Sequence, residues 1–281
     1  MSGAGLIREG HLFSQHSLGT FARCPRRYLL KYVDRQPWPM PEGDDPVAYE
    51  ASLARGRVFH QWMVREHLGL RVAEMATHCE DADLERWWQA ARHFPWGALP
   101  AAVREAELPV VVPLGGWRLY ARYDLVALDP GGQAVVVDWK TLEARPSART
   151  LRERLQTRIY LYTLVAAGQV LTGGAPVSPL QASMFYWFAN YPDEPATVAY
   201  SPDEFTSDGE DLVALATRIA GLSREEFART EDRRLCARCN YRSLCHSEAS
   251  EAPTPLGASA DWLDEDLDAS LDLGSVPEME Y

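Results

Sequence analysis

Apolar residues between positions 107 and 140 follow the period of β-strands. The runs are interrupted by glycine-containing turns at 115–116 and 129–132, an arrangement that predicts a three-stranded antiparallel meander. Its predicted strands are 108–114, 117–128 and 134–140. The last strand is apolar until its end, as expected of a strand that is buried on both faces and opens into a cleft. We therefore expect functional residues at that end.

Four other stretches show the helical spacing of apolar residues. They are 17–33, 52–68, 83–93 and 149–167. In the first, Ser17 is a candidate N-cap, and Pro25 must kink or restart the helix. Cys24 therefore lies at a predicted break.

The predicted helices carry polar and aromatic candidates for a functional site. His60 projects from the second helix. Trp87 and Trp88 in the third helix are candidates for stacking on nucleobases, although burial in a core is the commoner role of tryptophan. In the fourth helix, Gln156 and Tyr160 are four residues apart and share one face, so that both can reach the same cleft.

The end of the third predicted strand brings a carboxylate and an ammonium group together. Side chains alternate along a strand, so Asp138 and Lys140 point to one face and Trp139 to the other. A structural salt bridge explains this pair equally well. However, Asp124 precedes Asp138 by 14 residues on the adjacent strand, and a hairpin places the two carboxylates side by side. Two hard oxygen ligands predict a magnesium or manganese site.

Composition allows a large core and disfavours a membrane protein. The 281 residues are 46% hydrophobic, which fits one large domain or two small ones. The longest apolar stretches are too short for a spanning helix, which requires about 20 residues. We expect a soluble, cytoplasmic protein with no membrane partner.

The formal net charge of -12 is concentrated at one end of the chain. Residues 247–281 contain ten acidic residues and no lysine or arginine. We predict that this tail is mostly disordered and carries one short amphipathic segment that folds onto a partner, with a purely solubilising tail as the alternative.

Basic residues gather in sequence around the cysteines. They are Arg23, Arg26, Arg27 and Lys31 near the start, and Arg233, Arg234, Arg238 and Arg242 near the end. This clustering favours a phosphate-binding surface, although arginines also border ordinary solvated helices. Arg152 and Arg158 are further candidates for phosphate contacts.

Four cysteines are distributed between the two ends of the chain. Cys236, Cys239 and Cys245 form a tight cluster, and Cys24 or Cys79 is the candidate fourth partner. Four thiolates complete either a zinc site or an iron-sulfur site. Disulfides are the competing use, but the N-terminus lacks the pattern of a secretory signal.

A series of short motifs along the chain resembles the RecB-like branch of the PD-(D/E)XK nucleases, in particular its iron-sulfur members. In order, the motifs are Cys24-Pro25-Arg26-Arg27-Tyr28, Gly56-Arg57-Val58-Phe59-His60, Glu107, Tyr123-Asp124, Val137-Asp138-Trp139-Lys140-Thr141, Gln156-Thr157-Arg158-Ile159-Tyr160, and Cys236, Cys239 and Cys245. Together they cover roughly residues 17–246. The chain is also similar to CRISPR-associated RecB-like exonucleases and to AddB-type nuclease domains.

The resemblance implies an α/β fold with a restriction-endonuclease-like core, in which helices flank a central mixed β-sheet. It implies one nuclease domain over 1–246, followed by the acidic tail 247–281. An iron-sulfur module over 17–33 and 230–246 joins the two ends, and its 4Fe-4S cluster is bound by Cys24, Cys236, Cys239 and Cys245. Cys79 is then an ordinary thiol.

The resemblance also implies roles for the polar candidates. Asp124 and Asp138 bind Mg2+ or Mn2+, and His60 is a further metal ligand or positions a water molecule; a hydrogen-bonded core histidine is the alternative for His60. Lys140 orients or deprotonates the attacking water and stabilises the developing charge.

Three more residues complete the implied site. Gln156 and Tyr160 position the phosphate backbone or Lys140. Glu107 matches an acidic position of the family, although Glu105 lies two residues away and can substitute for it.

These implications point to a metal-dependent DNA exonuclease that processes DNA ends in CRISPR adaptation or in recombination and repair. The alternative is a catalytically silent DNA-binding or scaffold subunit that retains the fold and the cluster. No Walker A pattern is present, so a helicase partner must be a separate chain. CRISPR adaptation proteins or such a helicase are the expected partners of the acidic tail.

Overall fold

A six-stranded mixed β-sheet forms the centre of the protein. A computed structural model describes residues 6–37, 46–70, 72–76, 79–237 and 239–245, so the acidic tail lies outside the described residues. The strands are β1 (Leu12–Ser14), β2 (Val103–Leu114), β3 (Trp117–Leu128), β4 (Ala134–Lys140), β5 (Ala182–Phe188) and β6 (Tyr191–Ala199). The strand order is β1-β3-β4-β5-β6, with β2 on the other edge of β3.

The predicted meander is confirmed. β2, β3 and β4 pair antiparallel in sequence order, and all seven residues of β4 are buried. β4 then pairs in parallel with β5, and the segment between them crosses over as helices. β1 also runs parallel to β3, which makes the sheet mixed.

Helices cover both faces of the sheet. They are α1 (Gln15–Arg23), α2 (Pro25–Tyr28), a π-helical turn (Leu29–Val33), α3 (Pro46–His67), α4 (Val72–Ala76), α5 (Ala82–Ala91), α6 (Ala148–Glu153), α7 (Leu155–Ala166), α8 (Gly168–Leu171), α9 (Pro202–Gly221), α10 (Arg233–Ala237) and α11 (Arg242–Cys245), with 3-10 turns at Trp96–Ala98, Pro179–Gln181 and Arg224–Glu226. None of the helices in the described part of the chain has the length and apolar character needed to cross a lipid bilayer. The fold is therefore α/β, as expected.

Two hydrophobic cores lie on opposite faces of the sheet. One core contains side chains of α1, α7 and α9 and even-numbered residues of β4, such as Val136. The other contains α3, α4 and α5 and odd-numbered residues of β4, such as Trp139. Trp87 and Trp88 lie in this second core and are only 5% and 3% exposed. Their proposed stacking on nucleobases is therefore wrong, because the rings are buried.

The first predicted helix begins earlier than expected, and its break is confirmed. Ser14 is the N-cap, and its hydroxyl accepts the backbone N–H of Ser17, while the Ser17 hydroxyl accepts that of Ser14. Two serines three residues apart form a capping box, so Ser17 is the third helical residue rather than the cap. Cys24 has extended backbone angles and separates α1 from α2.

The predicted helix 149–167 consists of two helices, α6 and α7, with an extended residue between them at Arg154. The carbonyl of Leu151 accepts the N–H of Arg154 at 3.3 Å and also the hydroxyl of Thr157. In a continuous helix the N–H of Leu155 would donate to this carbonyl, and here Arg154 and Thr157 donate to it instead. Leu155 therefore starts a new helix.

Acidic side chains of α9 pair with Arg152 and Arg158, the two arginines predicted to contact phosphate. Arg158 forms ion pairs with Asp208 and Asp211, and Arg152 pairs with Glu204. These ion pairs fix α9 against α6 and α7.

We predict that Gly168→Ala destabilises the protein. A Cβ atom at Gly168 would lie 2.6 Å from Cβ of Val177 and 2.8 Å from its backbone nitrogen. Since the backbone cannot give way without repacking, we expect the free energy of unfolding to fall by about 1–3 kcal/mol. Gly221→Ala is the matched control, because nothing lies within 4 Å of its Cβ position. Urea unfolding compares the two variants, and equal stabilities would contradict the packing described here.

Candidate metal centre

The two strands that carry the predicted acids separate at the site. Paired residues of β3 and β4 end at Leu125 and Val137. The backbone N–H of Trp139 donates instead to Oδ2 of Asp124 at 2.9 Å. The carboxylate of Asp124 therefore lies between the diverging strands, where it satisfies an amide that the ladder leaves open.

Glu107 lies opposite Asp124. At this point of β2 and β3, the side chains that face one hydrophobic core give way to side chains that face the other core. Ala106 and Leu125 are paired and face the core of α3 and α5, whereas the next pair, Leu108 and Tyr123, faces the other core. Glu107 has a φ angle of +54°, in the left-handed region that residues with a side chain seldom adopt. Strained backbone of this kind is concentrated at functional sites.

His60, Glu107 and Asp124 form a candidate metal-ligand set. One ligand atom of each lies within 4.8 Å of the others. His60 comes from α3, and its Nδ1 is 3.4 Å from Oδ1 of Asp124. One imidazole and two carboxylates suit divalent ions such as Mn2+ and Mg2+. The structure thus places Glu107 in the set, while Glu105 is exposed.

Asp138 and Lys140 form a buried ion pair beside this set. Lys140 Nζ lies 2.9 Å from Asp138 Oδ2, and both side chains are at most 5% exposed. Gln156 of α7 donates its side-chain N–H to Asp138 Oδ1 at 2.8 Å. Asp138 is outside the three-residue set, but its charge acts on His60. The ion pair of Asp138 and Lys140 therefore lies next to the candidate metal ligands.

Tyr160 lies in the core next to Tyr123. It is only 3% exposed, and its ring meets the ring of Tyr123 edge-on with centroids 5.3 Å apart. One helical turn beyond Gln156, α7 packs closely on β3, so this ring fills the core. Gln156 contacts Asp138, and the Tyr160 ring packs against Tyr123; their predicted roles at the phosphate backbone or Lys140 stay predictions.

Each carboxylate at the centre has a basic neighbour. Asp124 lies beside His60 and Asp138 beside Lys140; in addition, Arg122 Nε is 3.3 Å from Glu107 Oε2. Arg122 was not among the candidate site residues predicted from the sequence. Its position directly before the Tyr123-Asp124 motif was the available signal.

The charges of this centre change the ionisation of its members. Burial opposes protonation of His60, but the charge and hydrogen bond of Asp124 outweigh it and raise the pKa of His60 to about 9. Burial likewise opposes ionisation of Asp124, but His60 outweighs it and holds the pKa of that carboxyl below its usual value. In the absence of a metal ion, the pair is therefore ionised at neutral pH.

None of the five cysteines, all of which lie in the described part of the chain, forms a disulfide, and four of them interact electrostatically. Burial raises the pKa of the Cys245 thiol, and the nearby sulfurs of Cys239 and Cys24 raise it further; Cys24 acts in the same way on Cys236. Among the described residues, no three cysteine sulfurs lie within 4.8 Å of one another. The cysteines are therefore not clustered in the structure, which supports neither the predicted zinc ion nor the predicted 4Fe-4S cluster.

Segments near the two ends of the described fold pack against each other. The N–H of Arg26 donates to the carbonyl of Ala228 at 3.0 Å, and the ring of Tyr28 stacks on Phe227. Arg224 forms a two-bond ion pair with Asp34. Cys24 and the later cysteines are thus brought to the same region.

Comparisons with known proteins agree with this architecture. The family model of the PD-(D/E)XK nuclease superfamily matches residues 12–246. No curated protein matches the chain. A crystal structure from Eubacterium rectale, named "Putative exonuclease", is 10% identical, with 93% of this chain and 94% of that chain covered and a TM-score of 0.50; this likeness concerns the fold alone. The structure of SSO0001 is 16% identical, covers 87% of this chain and 90% of its own, and has a TM-score of 0.39.

We predict that His60 of the metal-free protein titrates near pH 9 and that Asp124→Asn lowers its pKa, because the variant removes the charge that contributes most against the effect of burial. NMR titration of the imidazole protons measures both values, with His60→Gln to assign the resonance. Since the folded pKa of His60 exceeds the unfolded one, the stability that protonation of His60 contributes is complete below about pH 6.5 and is lost as the pH rises through 9. At acid pH, protonation of Asp124, whose pKa is lowered, removes the stability of the pair. A wild-type value near 6.5 would contradict the ion pair.

Proposed function

The chain belongs to the PD-(D/E)XK nuclease superfamily, a family of metal-dependent nucleases, and we propose that it hydrolyses DNA at the centre formed by His60, Glu107 and Asp124. The observation that carries this proposal is the convergence of the three ligands where β3 and β4 separate. Nitrogen and carboxylate donors fit the divalent ions that such enzymes use.

His60, Glu107 and Asp124 hold the metal ion in this proposal, and Asp138 is the fourth candidate ligand. A bound divalent ion supplies Lewis acidity towards the phosphoryl oxygen and lowers the pKa of water. Asp138 and Gln156 hold Lys140 and the end of β4 in place. The ammonium group of Lys140 is buried, so its charge is little screened where negative charge develops on the phosphate.

Exonuclease action on DNA ends is the specific mode that we propose. It rests on the RecB-like order of the motifs from Cys24 to Cys245 and agrees with the name of the structural neighbour from Eubacterium rectale. CRISPR adaptation and recombination or repair are the processes that use such an activity. Adaptation proteins or a separate helicase are the proposed partners of the acidic tail 247–281.

We also propose that Cys24, Cys236, Cys239 and Cys245 bind a 4Fe-4S cluster within an iron-sulfur module (17–33 and 230–246) of a single domain over 1–246. A four-iron cluster takes one thiolate per iron, so its sulfurs lie farther apart than those around a single ion. Backbone N–H groups already point at two sulfurs: Arg27 donates to Cys24 at 3.4 Å, and Tyr241 donates to Cys239. Such hydrogen bonds stabilise thiolate charge.

A catalytically silent DNA-binding subunit is the second candidate function. The pairing of each carboxylate with a basic side chain favours it, because the centre is electrically balanced without a metal ion. Cleavage assays separate the two functions.

We predict that Glu107→Gln abolishes cleavage and that Glu105→Gln does not. Loss of one metal-binding carboxylate removes several kcal/mol of transition-state stabilisation, so the rate should fall by about 100-fold or more. The assay follows end-labelled single- and double-stranded DNA with anaerobically purified protein and Mg2+ or Mn2+. Glu105 is exposed and provides a control of equal charge on the same strand.

The assay also tests the function as a whole. Cleavage that requires no added metal ion, or that survives Glu107→Gln, would contradict the proposed centre. Metal-independent DNA binding without cleavage by the wild type would establish the silent alternative.

We predict that Cys24→Ser removes the cluster and that Cys79→Ser retains it. The wild-type protein should be brown when purified anaerobically, with a broad absorption band near ~400 nm. Cys79 is a matched control because its sulfur is directed at the carbonyl of Asp81, away from the other cysteines. Absorption spectra and iron content decide the result, and a colourless wild type after anaerobic iron-sulfur reconstitution would overturn the cluster.

A further inference from the structure

The turn between β5 and β6 binds every carbonyl of the chain segment that leaves the buried Lys140. We call residues 189–191 the clamp turn and residues 140–143 the exit segment. The hydrogen bonds are Ala189 N to Lys140 O at 2.8 Å, Asn190 Nδ2 to Thr141 O at 3.2 Å and to Leu142 O at 2.9 Å, and Tyr191 OH to Glu143 O at 2.6 Å. Four consecutive carbonyls are thus held by three consecutive residues.

Asn190 uses its whole side-chain amide in these contacts. Its two N–H groups donate to the exit segment, while its oxygen accepts from Arg86 Nη2 at 3.0 Å and from Trp87 Nε1 at 2.9 Å. An asparagine amide offers two donor hydrogens and two acceptor lone pairs, and all four are occupied. These partners also fix the orientation of the amide: its nitrogen faces the acceptors of the exit segment, and its oxygen faces the donors of α5.

The tight turn itself does not require asparagine at this position. Asparagine is common in hairpin turns because it tolerates positive φ angles. Among the non-glycine residues that the structure describes, only Arg35 and Glu107 have positive φ. Asn190 therefore has an ordinary backbone conformation, and the contacts of its side chain account for its presence.

The exit segment connects the two side chains that hold Asp138. Lys140 is the last residue of β4, and its Nζ lies 2.9 Å from Asp138. The chain then runs through the exit segment to α6 and α7, where Gln156 returns to the same carboxylate at 2.8 Å. A displacement of the exit segment consequently moves Lys140, which pairs with Asp138.

We propose that Asn190 is a positioning residue for the nuclease reaction: it fixes the exit segment and thereby sets Lys140 and Asp138 relative to the metal ligands. This inference rests on the proposed function. Arg86 and Trp87 of α5 contact only the other side of the Asn190 amide, through its oxygen.

The test is Asn190→Asp, compared with an Arg86→Gln, Trp87→Phe double variant. The aspartate keeps acceptor oxygens towards α5 but places an oxygen against the carbonyls of Thr141 and Leu142. Because small misplacements of reacting groups are costly, we expect the single-turnover cleavage rate at saturating DNA and Mn2+ to fall by about 10- to 100-fold. The DNA dissociation constant should change by less than about two-fold, since binding away from the reacting atoms is unaffected.

The double variant removes only the bonds from α5. We expect it to lower stability in urea unfolding while the single-turnover rate stays within about two-fold of wild type. Tyr191→Phe provides a milder variant, in which only the bond to Glu143 is lost, and we expect roughly a three-fold slower rate. A double variant as slow as Asn190→Asp would overturn the proposal, as would wild-type rates in both Asn190→Asp and Tyr191→Phe.

Hydrogen–deuterium exchange supplies a measurement that does not depend on activity. In Asn190→Asp we expect faster exchange of amides in residues 141–147, and in the double variant we expect wild-type exchange there. If the wild type cleaves no DNA, the proposed nuclease function fails, and exchange alone then decides whether Asn190 fixes the exit segment. Unchanged exchange in Asn190→Asp would refute the clamp whatever the activity.

Discussion

The hydrogen bond from the backbone of Trp139 to the carboxylate of Asp124 is the contact on which the site depends. It ends the pairing of β3 and β4 without leaving a buried amide unsatisfied, which would otherwise cost about 1–3 kcal/mol. The strands can then diverge, and the opening admits His60 from one face of the sheet. Asp138 and Gln156 approach from the other. Residues from both faces of the sheet therefore form the site, at the point where the pairing of β3 and β4 stops.

Charge balance is the second constraint on this opening. Burial in a poorly hydrated site strongly disfavours ionised carboxylates unless cations lie nearby. The fold supplies one basic group for each of three acids: His60 for Asp124, Arg122 for Glu107 and Lys140 for Asp138. A divalent ion that enters must displace a proton from His60 and compete with Arg122 for Glu107. The metal-free and metal-bound states thus differ in the partners of the acids, while the strands that carry them can stay in place.

Local patterns predicted the meander and the helix break at Cys24, because strand alternation, turn glycines and proline act over a few residues. Contacts between distant segments were not predictable in this way. Arg158 is a plausible phosphate ligand until Asp208, 50 residues later, is seen to occupy it. The left-handed backbone of Glu107 and the bonds of Asn190 likewise depend on tertiary partners. The candidate acids could be found from sequence, but the contacts that hold them could not.

The packing of the two ends bears on the order in which the chain folds. Arg224 and Asp34 are 190 residues apart, and Tyr241 reaches the carbonyl of Gln36 over 205 residues. Such contacts carry a larger loop-closure cost than the neighbouring strands of the meander, so they form late. Late contacts influence the rate of unfolding far more than the rate of folding. A cluster bound at this junction would therefore act mainly as a kinetic lock, prolonging the life of the folded nuclease without helping it to form.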